Sequence, residues 1–451
     1  MKNLLKFHRS ILVSVKGLIL SCLVFTFIST WQNNYPQALF SKNGNYVVVL
    51  SYMIFLLVFI KLYGGFRFGI FRLHEVIYNL VLATILTNFM MYLELSLIAR
   101  SLLFPFAMIF CTGLQFFIIL FSSYCANIIY FKLHPARKML AIFGDDSEGF
   151  KLINKFTKIP ERFKIEKGIA VVGKHIDDIK RQIDKFDAVL ITDFEKGIKD
   201  ELLRYCYSLK KRTYLLPSST EVVISTADPI QIFDTPVLLC QNCGLSVEQA
   251  AVKRFWDLVF SVLGLIIFSP VFLLTMLFIK IDDGAAVFFL QNRVTKDGKI
   301  FNIIKFRSMI TDAEKDGAKK ASQDDERITR VGRIIRPLRI DELPQLINIF
   351  LGDMSLVGPR PERLQNVYEY NLLYPDFYLR HRVKAGLTGY AQVYGKYNTT
   401  PADKLKMDLL YIEKYSLLLD LKLLAMTLKI IFLKESTEGF TNDDNKKINP
   451  P

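Results

Sequence analysis

Four apolar runs fill the first third of the chain: Ile11 to Trp31, Tyr46 to Leu62, Val76 to Ala99 and Leu102 to Phe131. Each comes near the ~20 residues that a helix needs to cross the hydrocarbon of a bilayer, so four membrane-spanning helices are the economical reading of residues 1–135. A cleaved signal peptide suits the first run poorly, because no small-residue cleavage site follows it and Trp31 fits an interfacial aromatic belt. Glu94, near the end of the third run, is expected to be a headgroup-level or interhelical carboxylate rather than part of an ion pathway.

Charge must be explained together with this hydrophobicity. The 451 residues include 58 Lys+Arg against 43 Asp+Glu, a net charge of +15, yet 51% are hydrophobic. That combination excludes an ordinary soluble nucleic-acid binder and points to a membrane. Lys2, Lys6, Arg9 and Lys16 precede or enter the first run, Lys61, Arg67 and Arg72 lie between the second and third, and Lys132, Arg137 and Lys138 follow the fourth. By the positive-inside rule, the N-terminus and everything after Phe131 face the cytoplasm. Six scattered cysteines suit that reducing side.

From about Lys138 the pattern becomes that of a cytoplasmic α/β domain, residues 136–245. Strands are expected at Met139–Phe143, Ile169–Val172 and Ala188–Thr192, and helices at Asp146–Thr157 and Ile176–Phe186. The alternation implies a parallel sheet with Rossmann-like winding. The turn from Gly144 to Gly149 lacks the central glycine of a dinucleotide site and carries Asp145 and Asp146 where phosphate would sit, which favours a structural or regulatory sheet over a cofactor domain. Cys240 and Cys243 resemble half of a zinc site without a second pair.

A fifth apolar run begins after Lys253-Arg254-Phe255-Trp256-Asp257 and reaches Ile279. Ser269-Pro270 interrupts it near the middle, where proline removes a backbone donor and serine can satisfy a freed carbonyl. A helix-break-helix hairpin that enters one leaflet and returns is expected, with an ordinary kinked span as the alternative.

Beyond Lys280 the chain is basic and rich in turns. Lys305 and Arg307 are expected on one face of an extended segment, and Arg327, Arg330, Arg333, Arg336 and Arg339, spaced by three, on one helical face. Asp341-Glu342-Leu343-Pro344 should lie at or just before a helix closed by Gly352. Capping a helix is the bland role for these acids. Among Lys305, Arg307 and Arg336, however, a carboxylate pair suits phosphoryl transfer: one can attack phosphorus, the other can hold a divalent cation, and the cations neutralise developing charge. Gly358-Pro359-Arg360-Pro361 reads as a preorganised phosphate clamp.

Together with Met354-Ser355-Leu356-Val357 before the clamp, and with Gly386-Leu387-Thr388-Gly389-Tyr390-Ala391-Gln392-Val393, these motifs make residues from about Lys253 to Leu433 resemble the bacterial sugar transferase family, the polyprenyl-phosphate glycosyl-1-phosphate transferases. The four-span start and Rossmann-like insert resemble its large subclass. The resemblance implies a membrane α-helical N-terminal bundle, an α/β Rossmann-like domain, and a mainly α (α+β) monotopic catalytic domain with a re-entrant helix over residues 246–434, broken at Ser269 and Pro270. A polar tail, residues 435–451, would follow.

It also implies a reaction. A UDP-sugar and undecaprenyl phosphate would give the pyrophosphate-linked lipid sugar and UMP, initiating exopolysaccharide, capsule or O-antigen synthesis. Asp341 would be the nucleophile that forms an aspartyl phosphosugar, and Asp341 and Glu342 would be the Mg²⁺ site. Arg336 and Arg360 would grip phosphate beside Lys305 and Arg307, and Arg382, Thr388, Tyr390 and Gln392 would form the nucleotide-sugar region. The implied partners are UDP-sugar, undecaprenyl phosphate and the lipid bilayer, with no nucleic acid; a homodimer is an expectation. The implied location is the bacterial inner (cytoplasmic) membrane, multi-pass, with catalysis on the cytoplasmic face. Tyr390 stands where the family usually shows Trp, and Ala385 replaces the usual proline before glycine. The helices expected at Ala402–Ile412 and Leu417–Phe432, with Lys422 and Lys429 among leucines, would lie amphipathically on a surface, with ordinary core packing as the alternative. The rival readings are a membrane-anchored nucleotide-sugar epimerase or dehydratase, for which the Gly144 turn lacks its glycines, and a non-catalytic lipid-binding scaffold.

Overall fold

The computed structural model describes residues 2–40, 43–144, 147–157, 159–240, 244–311, 325–395 and 399–431. The expectations for Asp145, Asp146, Cys243 and the tail after residue 434 lie outside the described residues. The chain divides into two compact units, Met1–Pro217 and Ser218–Pro451.

In the first unit the apolar runs become α1 (Lys2–Asn34), α2 (Gly44–Tyr63), α3 (Leu73–Ile98) and α4 (Phe106–Leu133), each long and apolar enough to cross a membrane. The fourth helix starts four residues later than the run's first residue, Leu102. Pro105 disfavours helical backbone at Phe104 and takes the N-cap position itself. Helices in lipid lack a hydrophobic drive to associate, so packing and interhelical hydrogen bonds matter more. The amide of Gln115 on α4 donates to Leu23 O on α1 (2.9 Å) and the Tyr52 hydroxyl on α2 (2.9 Å), and accepts from Asn88 Nδ2 on α3 (2.7 Å). One side chain thus ties all four helices. Glu94 is an interhelical carboxylate, as expected, accepting from Ser51 Oγ at 2.9 Å.

A mixed α/β domain follows: β1 (Arg137–Phe143), α5 (Ser147–Thr157), β2 (Phe163–Ala170), α6 (Ile176–Ile183), β3 (Ala188–Ile191), α7 (Lys196–Ser208) and β4 (Arg212–Leu215). All strands are parallel, in the order β2-β1-β3-β4. Leu140, Ile142, Val189 and Ile191 pack on one face of the sheet, Met139, Ala141, Ala188 and Leu190 on the other. The second strand begins at Phe163 rather than Ile169 because it is an edge strand; the charged residues Lys164, Glu166 and Lys167 hide its period from a search for buried runs.

The second unit opens with α8 (Ser219–Ile224) and an antiparallel hairpin, β5 (Asp228–Ile232) and β6 (Thr235–Leu239). Two helices, α9 (Val247–Ile267) and α10 (Ser269–Asp283), meet at a bend of 59°. The break falls where the sequence places it: Pro270 lies in the first turn of α10, and Ser269 Oγ donates to Ile266 O at 2.7 Å, satisfying a carbonyl at the end of α9. Ile266, Ile267, Leu273 and Phe278 around the bend are exposed. On the opposite side, Lys253, Asp257 and Ser261, spaced by four, are buried.

The rest of the unit comprises the antiparallel pair β7 (Phe288–Val294) and β8 (Ile300–Phe306), α11 (Arg330–Ile335), α12 (Gln345–Leu351), β9 (Ser355–Val357), α13 (Leu364–Leu373), β10 (Gly386–Thr388), α14 (Tyr390–Tyr394), α15 (Pro401–Glu413) and α16 (Leu417–Ile431). A core containing Ile303, Leu346, Ile349, Met354, Val357, Tyr411 and Leu423 joins α12, β8, β9, α15 and α16. One expectation is corrected. The five arginines do not form one helical face, because only residues 330–335 are helical; Arg327 instead bonds Asp325 (2.6 and 2.8 Å) and Arg339 has left-handed backbone. For α16 the structure favours the core-packing alternative, since Lys429 is buried and Leu423 and Met426 enter the core.

Candidate active site

The acidic pair sits in a 3-10 turn, Ile340–Glu342, between Arg339 and Pro344. Arg339 has φ 53°, a conformation that a long side chain adopts only when its surroundings hold it. Pro344, at the N-cap, starts α12, and Gly352 with φ 96° ends it, as the sequence requires. Arg254 donates to Ile349 O (2.6 Å) and Phe350 O (2.8 Å), carbonyls in the last turn of that helix. Buried Asn348 accepts from Ile304 N and donates to Asn302 O, both at 2.9 Å, which locks α12 against β8.

That lock brings Lys305 to the acids. Glu342 Oε1 accepts from Lys305 Nζ (3.1 Å) and Arg360 Nη2 (2.9 Å), and its Oε2 lies 3.8 Å from Arg339 Nη1. Burial opposes ionisation of Glu342, but Lys305, Arg360 and Arg339 outweigh it and hold its carboxyl below the usual range. Asp341 has the opposite fate. Burial and the neighbouring Glu342 carboxylate push it above the usual carboxylate range, against the pull of Lys305, Arg336 and Arg360. No described side chain donates a hydrogen bond to it. Two adjacent carboxylates thus hold different tasks: Glu342 organises the cations, and Asp341 is left with an uncommitted carboxylate inside their field.

Arg360 is held from behind. Arg380 is 1% exposed and donates Nη2 to Arg360 O (3.0 Å); its Nε reaches Asp408 Oδ2 (2.9 Å) and its Nη1 lies 4.0 Å from Glu362. Helix α9 also serves the site: its Asp257 accepts from Ser355 Oγ (3.1 Å) and Leu356 N (2.9 Å) at the root of the Gly358–Pro361 segment. Lys253 Nζ reaches Asp420 Oδ2 at 2.5 Å, and Tyr411 bridges Asp420 Oδ1 (2.8 Å) to Val357 O (3.1 Å). Sequence reasoning missed Arg380, Asp408, Asp257 and Asn348. Isolated polar residues in helices carry no motif, and only their burial marks them.

Of the residues expected at the site, Asp341, Glu342, Lys305, Arg336 and Arg360 come together. Arg307 is buried just beyond β8, where its backbone N donates to Val287 O (2.9 Å), and it does not share the Glu342 cluster. The nucleotide-sugar candidates lie along the β9–β10 edge. There Gly358 N donates to Thr388 O (2.8 Å), and a Cβ on Gly358, Gly386 or Gly389 would strike backbone. Thr388 Oγ1 is 2.6 Å from Thr427 Oγ1, Gln392 Nε2 donates to Leu387 O (3.2 Å), Tyr390 packs on Tyr394 at 4.6 Å, and Arg382 is 3.8 Å from Glu413.

Residues 248–434, which contain this whole constellation, match the family model described as bacterial sugar transferase. The chain is 43% identical over 185 residues to the UDP-N-acetylgalactosamine-undecaprenyl-phosphate N-acetylgalactosaminephosphotransferase of Aeromonas hydrophila, covering 40% of this chain and 44% of that protein. It is 35% identical over 319 residues to the undecaprenyl-phosphate glucose phosphotransferase of Komagataeibacter xylinus, covering 65% and 59%. These alignments span about half of each relative's own length. A shorter relative, the uncharacterized sugar transferase EpsL of Bacillus subtilis (strain 168), is 39% identical over 188 residues, 42% of this chain and 90% of that protein.

Proposed function

Because the chain belongs to the bacterial sugar transferase family, we propose that it transfers a hexose-1-phosphate from a UDP-sugar to undecaprenyl phosphate as the initiating step of a surface polysaccharide. The observation that carries this reading is the acidic pair in its cage of cations: one carboxylate locked by Lys305 and Arg360, the other uncommitted.

In the first half-reaction an Asp341 carboxylate oxygen attacks the sugar-bearing phosphorus, the phosphoanhydride breaks, and UMP leaves with the bonding electrons. In the second, an oxygen of the lipid phosphate attacks the same phosphorus and restores the carboxylate, leaving a new phosphoanhydride on the lipid. Each half-reaction needs only one substrate, which suits a water-soluble donor and a membrane-bound acceptor. Arg360 and Arg336 stabilise charge on the phosphoryl oxygens, and Lys305 keeps Glu342 ionised and in place. The residues fit Mg²⁺, which is commonly held by one or two carboxylates with substrate phosphates as further ligands. Asp341 and Glu342 supply such a pair, and no third acidic, His or Cys ligand joins them among the described residues. When bound, the ion would neutralise the pyrophosphate of the donor. The amide oxygen of Gln392 is buried and accepts no hydrogen bond among the described residues, which suits a donor group on the nucleotide.

The same reading includes the membrane. In this reading the N-terminus and the catalytic unit face the cytoplasmic side of the inner membrane, which the basic loops support, and α9–α10 is a re-entrant hairpin rather than a fifth span, which its 59° bend supports. The strand order β2-β1-β3-β4 supports a Rossmann-like domain between them. The test is UMP release by the purified chain with undecaprenyl phosphate, Mg²⁺ and a panel of UDP-sugars. At least one donor should be consumed, and Asp341→Asn should abolish release; UMP release retained by Asp341→Asn would remove that residue from the nucleophile's role.

A further inference from the structure

Of the described non-glycine residues with left-handed backbone, Arg339 alone borders the acidic pair. Its φ 53° and ψ 23° lie where glycine sits freely and a Cβ crowds the neighbouring carbonyl oxygen. Two turns meet at this residue: Arg339 N donates to Arg336 O (3.0 Å), and Glu342 N donates to Arg339 O (3.1 Å). Those bonds use the backbone alone, so a glycine would make them with less strain. Strain held beside reacting groups points to a use for the side chain.

The guanidinium is placed for such a use. Lys305 and Arg360 donate to Glu342 Oε1 at 3.1 and 2.9 Å, whereas Arg339 Nη1 stands 3.8 Å from Oε2, an ion pair too long for a hydrogen bond. Among the described residues none accepts a hydrogen bond from the Arg339 side chain, which is 27% exposed. Five N–H donors in a planar fork are thus held beside the carboxylates and left open to a ligand. Such a fork matches phosphate oxygens two at a time.

Position selects the phosphate. Lys305, Arg336 and Arg360 are the cations that pull on Asp341, whereas Arg339 pulls on Glu342 together with Lys305 and Arg360. Arg336 and Arg360 therefore serve the phosphorus that Asp341 attacks, and Arg339 stands on the Glu342 side of the pair. A UDP-sugar carries two phosphoryl groups, and the one that bears uridine departs. Its oxygen takes the electron pair of the broken phosphoanhydride, so negative charge grows there, and a donor held in place is worth most where charge grows.

Resting on the reaction assigned above, we propose that Arg339 binds the phosphate of the departing UMP. As Asp341 bonds to the sugar-bearing phosphorus, the bond from that phosphorus to the bridging oxygen breaks, and the Arg339 guanidinium donates to the oxygen that keeps the electrons. UMP has gone before the lipid phosphate attacks, so Arg339 has no share in the second half-reaction. The test is inhibition of the full chain by UMP and by uridine, which lacks the phosphate, while labelled sugar phosphate passes from a UDP-sugar into the lipid phase. UMP should inhibit the native chain more strongly than uridine does. Arg339→Gly should weaken inhibition by UMP roughly tenfold or more, the usual reach of a hydrogen bond to a charged group, and leave inhibition by uridine and the KM for undecaprenyl phosphate unchanged. It should melt no lower than the native chain, because glycine takes the left-handed backbone without strain. Arg339→Lys, a point charge in place of the fork, should keep part of the preference for UMP. Equal inhibition of the native chain by UMP and uridine, or native inhibition by UMP in Arg339→Gly, would overturn the proposal. So would an Arg339→Gly chain that melts lower and loses UMP, uridine and lipid phosphate alike, since Arg339 would then be a strut for Glu342. A native chain that transfers sugar phosphate from no UDP-sugar would remove the assigned reaction, and this role with it.

Discussion

Arg380 shows how much of the site rests on residues that touch no substrate. Its guanidinium is fully buried, held by Asp408, and spends a donor on the Arg360 carbonyl. Removing one partner of a buried pair leaves an uncompensated charge, typically at a cost of about 3–5 kcal/mol. Asp408→Asn should therefore lower the melting temperature clearly. In the surviving folded fraction it should also slow UMP release, because Arg360 loses its backbone anchor; thermal melts and the UMP assay on the same preparation separate the two effects. His381, next along the chain, gives a pH signature. Burial, with Arg380 nearby, pushes its imidazole down to about 4 from the ordinary 6.5. Between those values the unfolded chain takes up a proton that the folded chain refuses, so stability is complete above pH 6.5 and falls as pH drops toward 4. His381→Gln should flatten the melting temperature over that window, and an unchanged slope would assign the loss to other groups.

At the scale of elements, the break between α9 and α10 was legible because its cause is local: a proline that cannot donate and a serine that can. A re-entrant hairpin and a spanning one differ in where their ends lie. Single cysteines at Lys174→Cys and Lys299→Cys, probed with a membrane-impermeant thiol reagent in oriented vesicles after exchange of accessible native cysteines, should label from the same side. Labelling from opposite sides would make α9–α10 a span. The arginine series was misread because a spacing of three predicts a common face only if helix persists. Helix stops at Ile335, and the turns that follow send Arg336 toward Asp341 and Arg339 toward Glu342. The misreading had a physical source, since periodicity carries no information about where a short helix ends.

On the scale of the whole molecule, the division at Pro217/Ser218 leaves the acidic pair, its cations and the bent helix pair in one unit. An aligned stretch of 188 residues makes up 90% of the Bacillus subtilis relative, so a protein of little more than this catalytic region exists. Residues 218–451 expressed alone in detergent should fold and release UMP from the same donor as the full chain. Loss of release with retained folding would give the first unit a part in the reaction.

The sequence by itself determined the lengths that a bilayer demands, the break at Ser269-Pro270, the βαβ alternation, and an acidic pair set before a helix that Gly352 ends. These are local properties, fixed by side-chain polarity, backbone donors and allowed φ within a few residues. Only the tertiary structure decided which charges meet. Lys305 and Arg360 lie 37 and 18 residues from Glu342 along the chain, yet both bond it, while Arg307, two residues beyond Lys305, is buried elsewhere. Coulomb energy depends on distance through space, and that distance is set by Asn348, Asp257 and Arg380, polar groups whose purpose appears only once they are buried.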